Sequence, residues 1–391
     1  MSFWQSLERP VIGLAPMDGV TDSAFRLTVA LEGKPDVSFT EFTHVHDVCR
    51  GPEFLLDSLL YDEAERPVVA QLYGKDPDLF YQAAHVVCEL GFDGLDVNMG
   101  CPSKNVASSG SGAALIRTPE LARAILEAAH RGIADWTAGQ SLEAAGLKPT
   151  RAEMIRRMRP QRVVTAPVDR KAIPLSVKTR IGYDEVIVER WIEWLLQSTP
   201  AAISLHGRTL QQMYRGEADW QAIARAVDLV RGSGTLLFGN GDVQSLEDAV
   251  RRVQATGVDG VLVGRAVQGT PWFFKRKEEA RRAVATAGAL VPPADDRSRE
   301  ARFAIMLEHA RRFEARWPDQ FRRMRKHLGW YCKGFPHAAA LRAKMFQAAS
   351  MADVEAALES YQRDLFFTLS EGSVSLPAEP AQLTASASRC G

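Results

Sequence analysis

Short runs of apolar residues recur along the first two thirds of the chain, each ending in a polar residue or a small-residue turn. Eight of them, at 11–15, 37–42, 68–73, 94–98, 174–178, 202–206, 235–239 and 260–264, read as strands buried on both faces, the pattern of a parallel sheet. Amphipathic stretches with helical spacing separate most of them, such as Asp78 to Leu90 and Leu246 to Thr256. Strand and helix in alternation predict an α/β protein, and eight repeats predict a (β/α)8 TIM barrel that ends near residue 270. An open doubly wound sheet would usually carry its Gly-rich phosphate turn after the first strand. Here that turn is Ala15-Pro16-Met17-Asp18-Gly19, which has no dinucleotide fingerprint.

Chemistry in such a barrel sits at the C-terminal ends of the strands, and five runs deliver a reactive or polar group there. The fourth runs Gly94-Leu95-Asp96-Val97-Asn98-Met99-Gly100-Cys101-Pro102 and projects the Cys101 thiol from a strand end into a tight turn. Lys178, His206, Asn240 and Arg265 leave the four later runs in the same way. Five strand ends converging on one face predict an active site.

Past the barrel the periodicity changes. The domain plan read from the sequence is a barrel domain over 1–284, a small, Pro-containing linker at 285–298, a helical bundle over 299–369 and a disordered tail at 370–391. The helical stretches are Arg299 to Arg316, Phe321 to Cys332, Ala338 to Ala349 and Met351 to Leu369. One connection inside the barrel is far longer than the usual handful of residues, an insertion at about 132–172. It contains Met154-Ile155-Arg156-Arg157-Met158-Arg159-Pro160-Gln161-Arg162, which predicts a short basic helix making a peripheral contact away from the active site.

Charge sharpens that division. The chain of 391 residues has a net charge of zero, yet residues 275–344 hold 18 Lys and Arg against 8 Asp and Glu, and residues 131–171 hold 9 against 4. Basic appendages on an acidic barrel predict a polyanionic partner. Composition, at 46% hydrophobic and 25% charged, is that of an ordinary globular protein. The N-terminal residues lack the pattern of a signal peptide and no run is suited to span a membrane, so a cytoplasmic location is expected. Cys49, Cys88, Cys101, Cys332 and Cys390 form no C-x-x-C pair, so neither a disulfide framework nor a metal site is expected.

Six motifs in register carry a resemblance. Ala15-Pro16-Met17-Asp18-Gly19-Val20-Thr21-Asp22, Asn98-Met99-Gly100-Cys101-Pro102-Ser103, Val177-Lys178-Thr179-Arg180-Ile181-Gly182, His206-Gly207-Arg208-Thr209, Asn240-Gly241-Asp242 and Gly264-Arg265 together resemble the tRNA-dihydrouridine synthase family, with a weaker echo in Arg325-Lys326-His327. The resemblance implies a flavoprotein that uses FMN, with NADPH as reductant, to reduce the C5=C6 bond of particular uridines in tRNA.

It also implies roles. Cys101 is the expected acid, since a thiol of ordinary pKa keeps its proton at neutral pH. Pro16, Met17 and Asp18 are expected against the flavin ring and Gln71 at its polar edge, with Lys178 toward the N1 and O2 side and His206 on the ring or the phosphate. Asn240, Gly241, Asp242, Gly264 and Arg265 belong to the phosphate end, where Asp242 would use its backbone or meet ribitol hydroxyls. Asn98 and Arg180 are expected on the uracil edge and Tyr214 on the nucleotide, while Arg208 suits either RNA or flavin phosphate. The loop from Ser103 to Gly112 is expected to cover Cys101, although Asn105 stands where family members often carry a basic residue. Arg325 and Lys326, near aromatic residues, are expected to hold tRNA phosphates.

Two rivals frame that reading. An FMN barrel reductase of a small unsaturated carbonyl compound would share the barrel and Lys178 but would not need the basic bundle. A tRNA-binding folding factor would leave the strand ends idle.

Overall fold

Each apolar run of the first 270 residues becomes a strand, and the strands close on themselves. The computed structural model describes residues 2–158, 170–286 and 297–371. Its strands are β1 (Val11–Leu14), β2 (Ser38–Phe39), β3 (Thr43–His44), β4 (Val68–Tyr73), β5 (Gly94–Met99), β6 (Leu175–Arg180), β7 (Ala202–His206), β8 (Leu236–Asn240) and β9 (Gly260–Val263). All pairings are parallel, and β2 joins both β1 and β4 to complete the ring of a TIM barrel.

The second position of the ring is split. The run 37–42, read as one strand, pairs only as β2, and pairing resumes just past it as β3; both pair with β4. Thr40 causes the break: its Oγ1 accepts the N–H of Gln71 at 3.0 Å, a bond that a backbone carbonyl would take in an uninterrupted ladder.

Register determines which side chains point inward. Directly paired residues share a face, so Gln71, Asp96 and Ser176 form one row across β4, β5 and β6. Two residues further along, Asn98 pairs with Lys178, and one pairing later Arg180 meets His206, which meets Asn240. Polar residues thus fill the C-terminal half of the barrel interior. The other half is apolar, closed by Trp4 on a short helix, Phe3–Ser6. Its indole lies 5.2 Å from the Phe238 ring and 6.3 Å from Phe39, among Val11, Val69, Ala202 and Leu236. No feature of the apolar pattern marks Trp4 for this position.

The helices start and stop where their caps direct. Asp76 accepts from the N–H groups of Asp78 and Leu79 to begin Pro77–Glu89, and Ser245 accepts from Asp248 to begin Leu246–Thr256. Gly257 ends the latter with φ +75°, a left-handed conformation that favours glycine. The helix before the insertion runs from Pro119 to Thr137, into the stretch counted as insertion, because Trp136 is buried with its Nε1 donating to Glu89 at 3.0 Å.

The expected basic helix of the insertion is present as Pro149–Met158, but much of its charge is used internally. Arg151 is buried and donates to the carbonyls of Val48, Gly51 and Asp47, completing the end of helix Val45–Arg50. Arg156 makes a two-pronged bond to Glu143 at 2.8 Å, and Arg157 lies 3.9 Å from Glu153. Arg159 and Arg162 fall outside the described residues, as do most of 285–298 and the stretch after Glu371.

C-terminal helices Arg299–Arg316, Arg325–Tyr331, Ala338–Met345 and Met351–Glu371 enclose a second apolar cluster that includes Phe303, Met306, Phe313, Leu328 and Tyr361. The stretch read as one helix over Phe321–Cys332 is broken into a 3-10 segment, Pro318–Met324, and the α-helix after it. Ala24 and Trp272 from the barrel side belong to this second cluster, and Arg312 donates to Thr28 Oγ1 at 3.1 Å. The bundle therefore packs on the helix Ser23–Glu32. Among the described residues no helix is long and apolar enough to cross a membrane, and no group of His, Cys, Asp and Glu is arranged to hold a metal ion.

Candidate active site

A cleft of about 460 Å³ opens at the C-terminal ends of the strands. Cys101, Lys178, His206, Asn240 and Arg265, the five groups delivered by strand ends, all line it. So do the turn Pro16-Met17-Asp18, the amides Gln71 and Asn98, and Arg180, Tyr214, Gly241, Asp242 and Gly264. Arg325 and Lys326 do not.

Cys101 is held by its backbone. Asn98 Oδ1 accepts the N–H of Gly100 at 3.0 Å and that of Cys101 at 2.8 Å, so the strand end and the turn form one unit. Gly112 closes behind it with φ +61°; a Cβ there would lie 2.8 Å from Val106 and 3.2 Å from Cys101 Cβ. Cys101 is only 8% exposed, and burial raises its thiol pKa against the opposing N–H of Ser103. It therefore carries its proton at neutral pH.

One wall is cationic. Lys178 Nζ donates to Asn240 Oδ1 at 3.1 Å, and Asn240 is oriented in turn by donating to the Leu262 carbonyl at 2.8 Å. Burial and the neighbouring Arg180 lower the Lys178 pKa to about 8. Arg180 Nε and Nη1 hold the carbonyls of Gly100, Thr209 and Met213, while its Nη2 has no hydrogen bond among the described residues. Burial, reinforced by Lys178, Arg180, Arg208 and Arg265, pushes His206 well below its ordinary pKa, so the imidazole is neutral.

The turn after β8 is shaped by what packs beneath it. Trp220 Nε1 donates to the Gly241 carbonyl at 3.1 Å, and a Cβ on Gly241, at φ +124°, would come within 2.6 Å of Ala218. Asp242 accepts from Arg208 at 2.6 Å, Arg265 at 2.8 Å and the N–H of Ala218 at 2.8 Å. The Arg265 charge is thus shared with a carboxylate beside the turn. Trp220 and Ala218 lie outside every motif quoted above, so no sequence signal identifies them.

Tyr214 projects from the loop after β7 and is 63% exposed at the cleft mouth. Arg325 and Lys326 have partners inside the protein instead. Arg325 donates to the carbonyls of Ala348 and Gln347 at 2.7 and 2.9 Å, and Lys326 donates to the Gly19 carbonyl, tying the bundle to the turn that carries Asp18. The neighbouring Arg322 and Arg323 are exposed; Arg323 bonds Gln320 at 2.9 Å and lies 5.5 Å from the Trp317 ring.

The family model described as dihydrouridine synthase (Dus) matches residues 13–135 and 157–366. A probable tRNA-dihydrouridine synthase 2 of Bacillus subtilis (strain 168) is 31% identical over 374 residues, covering 93% of this chain and 97% of that protein. A probable tRNA-dihydrouridine synthase of Staphylococcus aureus (strain COL) is 29% identical with the same coverage. Among solved structures, a variant of NCR from Zymomonas mobilis is similar at a TM-score of 0.39 and 15% identity, over 69% of this chain and 86% of that one. Morphinone reductase is similar at 0.37 and 12%, over 72% and 89%. Those structural likenesses are loose, and the assignment rests on the sequence matches. This chain belongs to the dihydrouridine synthase family.

Proposed function

We propose that this protein reduces the C5=C6 bond of uridines in tRNA to 5,6-dihydrouridine, with FMN as its cofactor and NADPH as reductant. The observation that carries the reading is a buried Cys101, whose thiol burial keeps protonated, in a cleft that Lys178, Arg180 and several amide side chains also line. Family membership adds the reaction type, and the names of the relatives add the substrate.

The residues suit FMN by their donor set. Lys178 spends one hydrogen bond on Asn240 and keeps the rest of its donors for the cleft. The Asn240-Gly241-Asp242 turn, backed by Arg208 and Arg265, offers backbone and guanidinium groups to a phosphate. Pro16, Met17, Gln71 and His206 would hold the ring. When bound, reduced FMN supplies a hydride for C6 of the uracil.

The protein supplies the other hydrogen and the orientation. Cys101 gives its proton to C5 from the face of the base opposite the cofactor. Asn98 has both acceptor positions of Oδ1 occupied by backbone N–H groups, so it presents a donor to the base. A uracil carbonyl accepts that N–H, whereas the amino group of cytosine would oppose it. Arg180 Nη2 adds a second donor, and Tyr214 contacts the nucleotide extruded from its stack.

Lys178 makes a pH dependence. It is cationic below its pKa of about 8 and neutral above it. Flavin affinity, read by fluorescence quenching, is expected to fall by about tenfold, roughly 1.4 kcal/mol, as pH rises through that value. Lys178→Met is expected to bind weakly at every pH and to show no such step. A step of equal size in that variant would remove Lys178 from the assignment.

Phosphate contact is assigned to the exposed cations of the bundle. Arg322→Glu with Arg323→Glu is expected to weaken tRNA binding and to lower the salt slope by about two. Arg325→Glu with Lys326→Glu is expected to lower the unfolding temperature as well, because those side chains tie the bundle together and to the barrel. Electrophoretic titration at several salt concentrations, paired with thermal melts, separates the two effects.

A uridine-reduction assay decides the whole reading. Reduced protein mixed with tRNA lacking dihydrouridine should yield dihydrouridine by mass spectrometry. Turnover of a free unsaturated carbonyl compound without such a product would favour the small-substrate reductase.

A further inference from the structure

Asp96 is a fully buried carboxyl on β5 that neither the proton transfer nor the cofactor contacts use. Burial holds its pKa up to about 6, against hydrogen bonds from Ser176 and Gln71 and the charge of Lys178, so at neutral pH it is a carboxylate. A carboxylate only accepts hydrogen bonds. Ser176 Oγ therefore donates to Oδ1 at 2.6 Å, and Gln71 Nε2 donates to Oδ2 at 2.8 Å.

That contact orients the next amide. With Nε2 facing Asp96, Gln71 turns Oε1 toward Asn98, whose Nδ2 donates to it at 2.9 Å. At the far end the constraint is of opposite kind. The N–H groups of Gly100 and Cys101 only donate, so Asn98 must turn Oδ1 toward them and Nδ2 toward Gln71. Two requirements, from an acceptor-only group and from donor-only groups, meet with matched polarity across two amides. All of these side chains are buried, where an unmade hydrogen bond costs about 1–3 kcal/mol.

Resting on the reading that Cys101 protonates uracil at C5, we propose that Asp96 is a positioning residue: through Gln71 and Asn98 it fixes the polarity of both amides and the pose of the Cys101 turn. Removing the acceptor frees Gln71 to flip, and a flipped Gln71 offers Asn98 a donor in place of an acceptor. Asn98 then loses one of its two anchors, and the turn that bears the thiol loosens.

The test is a double-mutant cycle on the holoenzyme, read as single-turnover uridine reduction. Asp96→Leu should lower the rate by about tenfold or more in the wild-type background but by less than about twofold beside Asn98→Ala, since the first acts through the second. Affinity for tRNA should stay within about twofold, so that the loss falls on kcat. Asp96→Asn should restore the rate to within about threefold, because its carbonyl takes the Gln71 N–H and its amide donates to Ser176. A second readout needs no turnover: the rate of Cys101 alkylation by iodoacetamide, followed by peptide mass spectrometry. It should rise several-fold in Asp96→Leu and return to the wild-type value in Asp96→Asn.

Equal losses in both backgrounds, an unchanged rate or alkylation in Asp96→Leu, or an Asp96→Asn enzyme as slow as Asp96→Leu would each overturn the proposal. If Asp96→Leu does not fold, Asp96→Ser enters the same cycle, as its hydroxyl still meets Ser176 but is too short to reach Gln71. If the wild-type enzyme makes no dihydrouridine, the functional reading fails, while the alkylation rates still decide whether Asp96 holds the turn.

Discussion

Cys101→Ala is expected to bind flavin as the wild type does and to lose uridine reduction by about a hundred- to ten-thousand-fold, the usual contribution of a positioned acid. The reasoning starts with the site: the thiol is protonated because burial raises its pKa, and its backbone is pinned to Asn98 at 2.8 Å. Alanine keeps the backbone contacts and removes the thiol that carries the proton. Cys101→Ser is expected to rescue little, since a hydroxyl releases its proton far less readily than a thiol. Single-turnover oxidation of the reduced enzyme by tRNA, followed by absorbance, measures the loss. A rate for Cys101→Ala within about threefold of the wild type, far short of the expected drop, would remove the thiol from the reaction.

Arg26→Met is expected to destabilise the protein by about 3–5 kcal/mol, because it leaves a buried carboxylate without its cation. Arg26 and Glu65 are both fully buried and 2.6 Å apart. The guanidinium also donates to the carbonyls of Thr21 and Leu60, and Glu65 accepts from the N–H of Asp62. Two stretches of chain, 21–26 and 60–65, thus meet at one ion pair next to the turn that carries Met17 and Asp18. Replacing both partners, Arg26→Met with Glu65→Met, should recover much of the loss, since no charge is then stranded. Denaturant unfolding of the single and double variants checks the sign; a single variant within about 1 kcal/mol of the wild type would contradict it.

The barrel was legible because parallel strands covered on both faces leave unbroken apolar runs, and the candidate site because register places those strand ends on a shared rim. Legibility failed where a side chain replaced a backbone group. Thr40 lends its hydroxyl to the ladder, so 37–42 reads as one strand yet pairs only over Ser38–Phe39, and β3 starts beyond it at Thr43. It failed again for cations. A count of Arg and Lys does not distinguish Arg322, exposed to solvent, from Arg151, which completes a helix end, or Lys326, which grips the Gly19 carbonyl. Asp96 had a readable signal in its spacing, two residues before Asn98 on the same inward face of β5, but its partners on β4 and β6 emerge only from the pairing. Trp220 carried no signal at all, as its importance lies in the glycine turn above it.

Trp4 sets the order in which this fold can be completed. It precedes every strand in sequence, yet its cluster includes Phe39 on β2, Phe238 on β8 and Leu262 on β9. The barrel's lower end therefore has no finished lining until nearly the entire ring has been made, and the opening helix must wait, its indole uncovered, for residues more than two hundred positions later. Nascent chains halted before β8 would present that aromatic side chain to chaperones, and the final turn of the barrel would bury it.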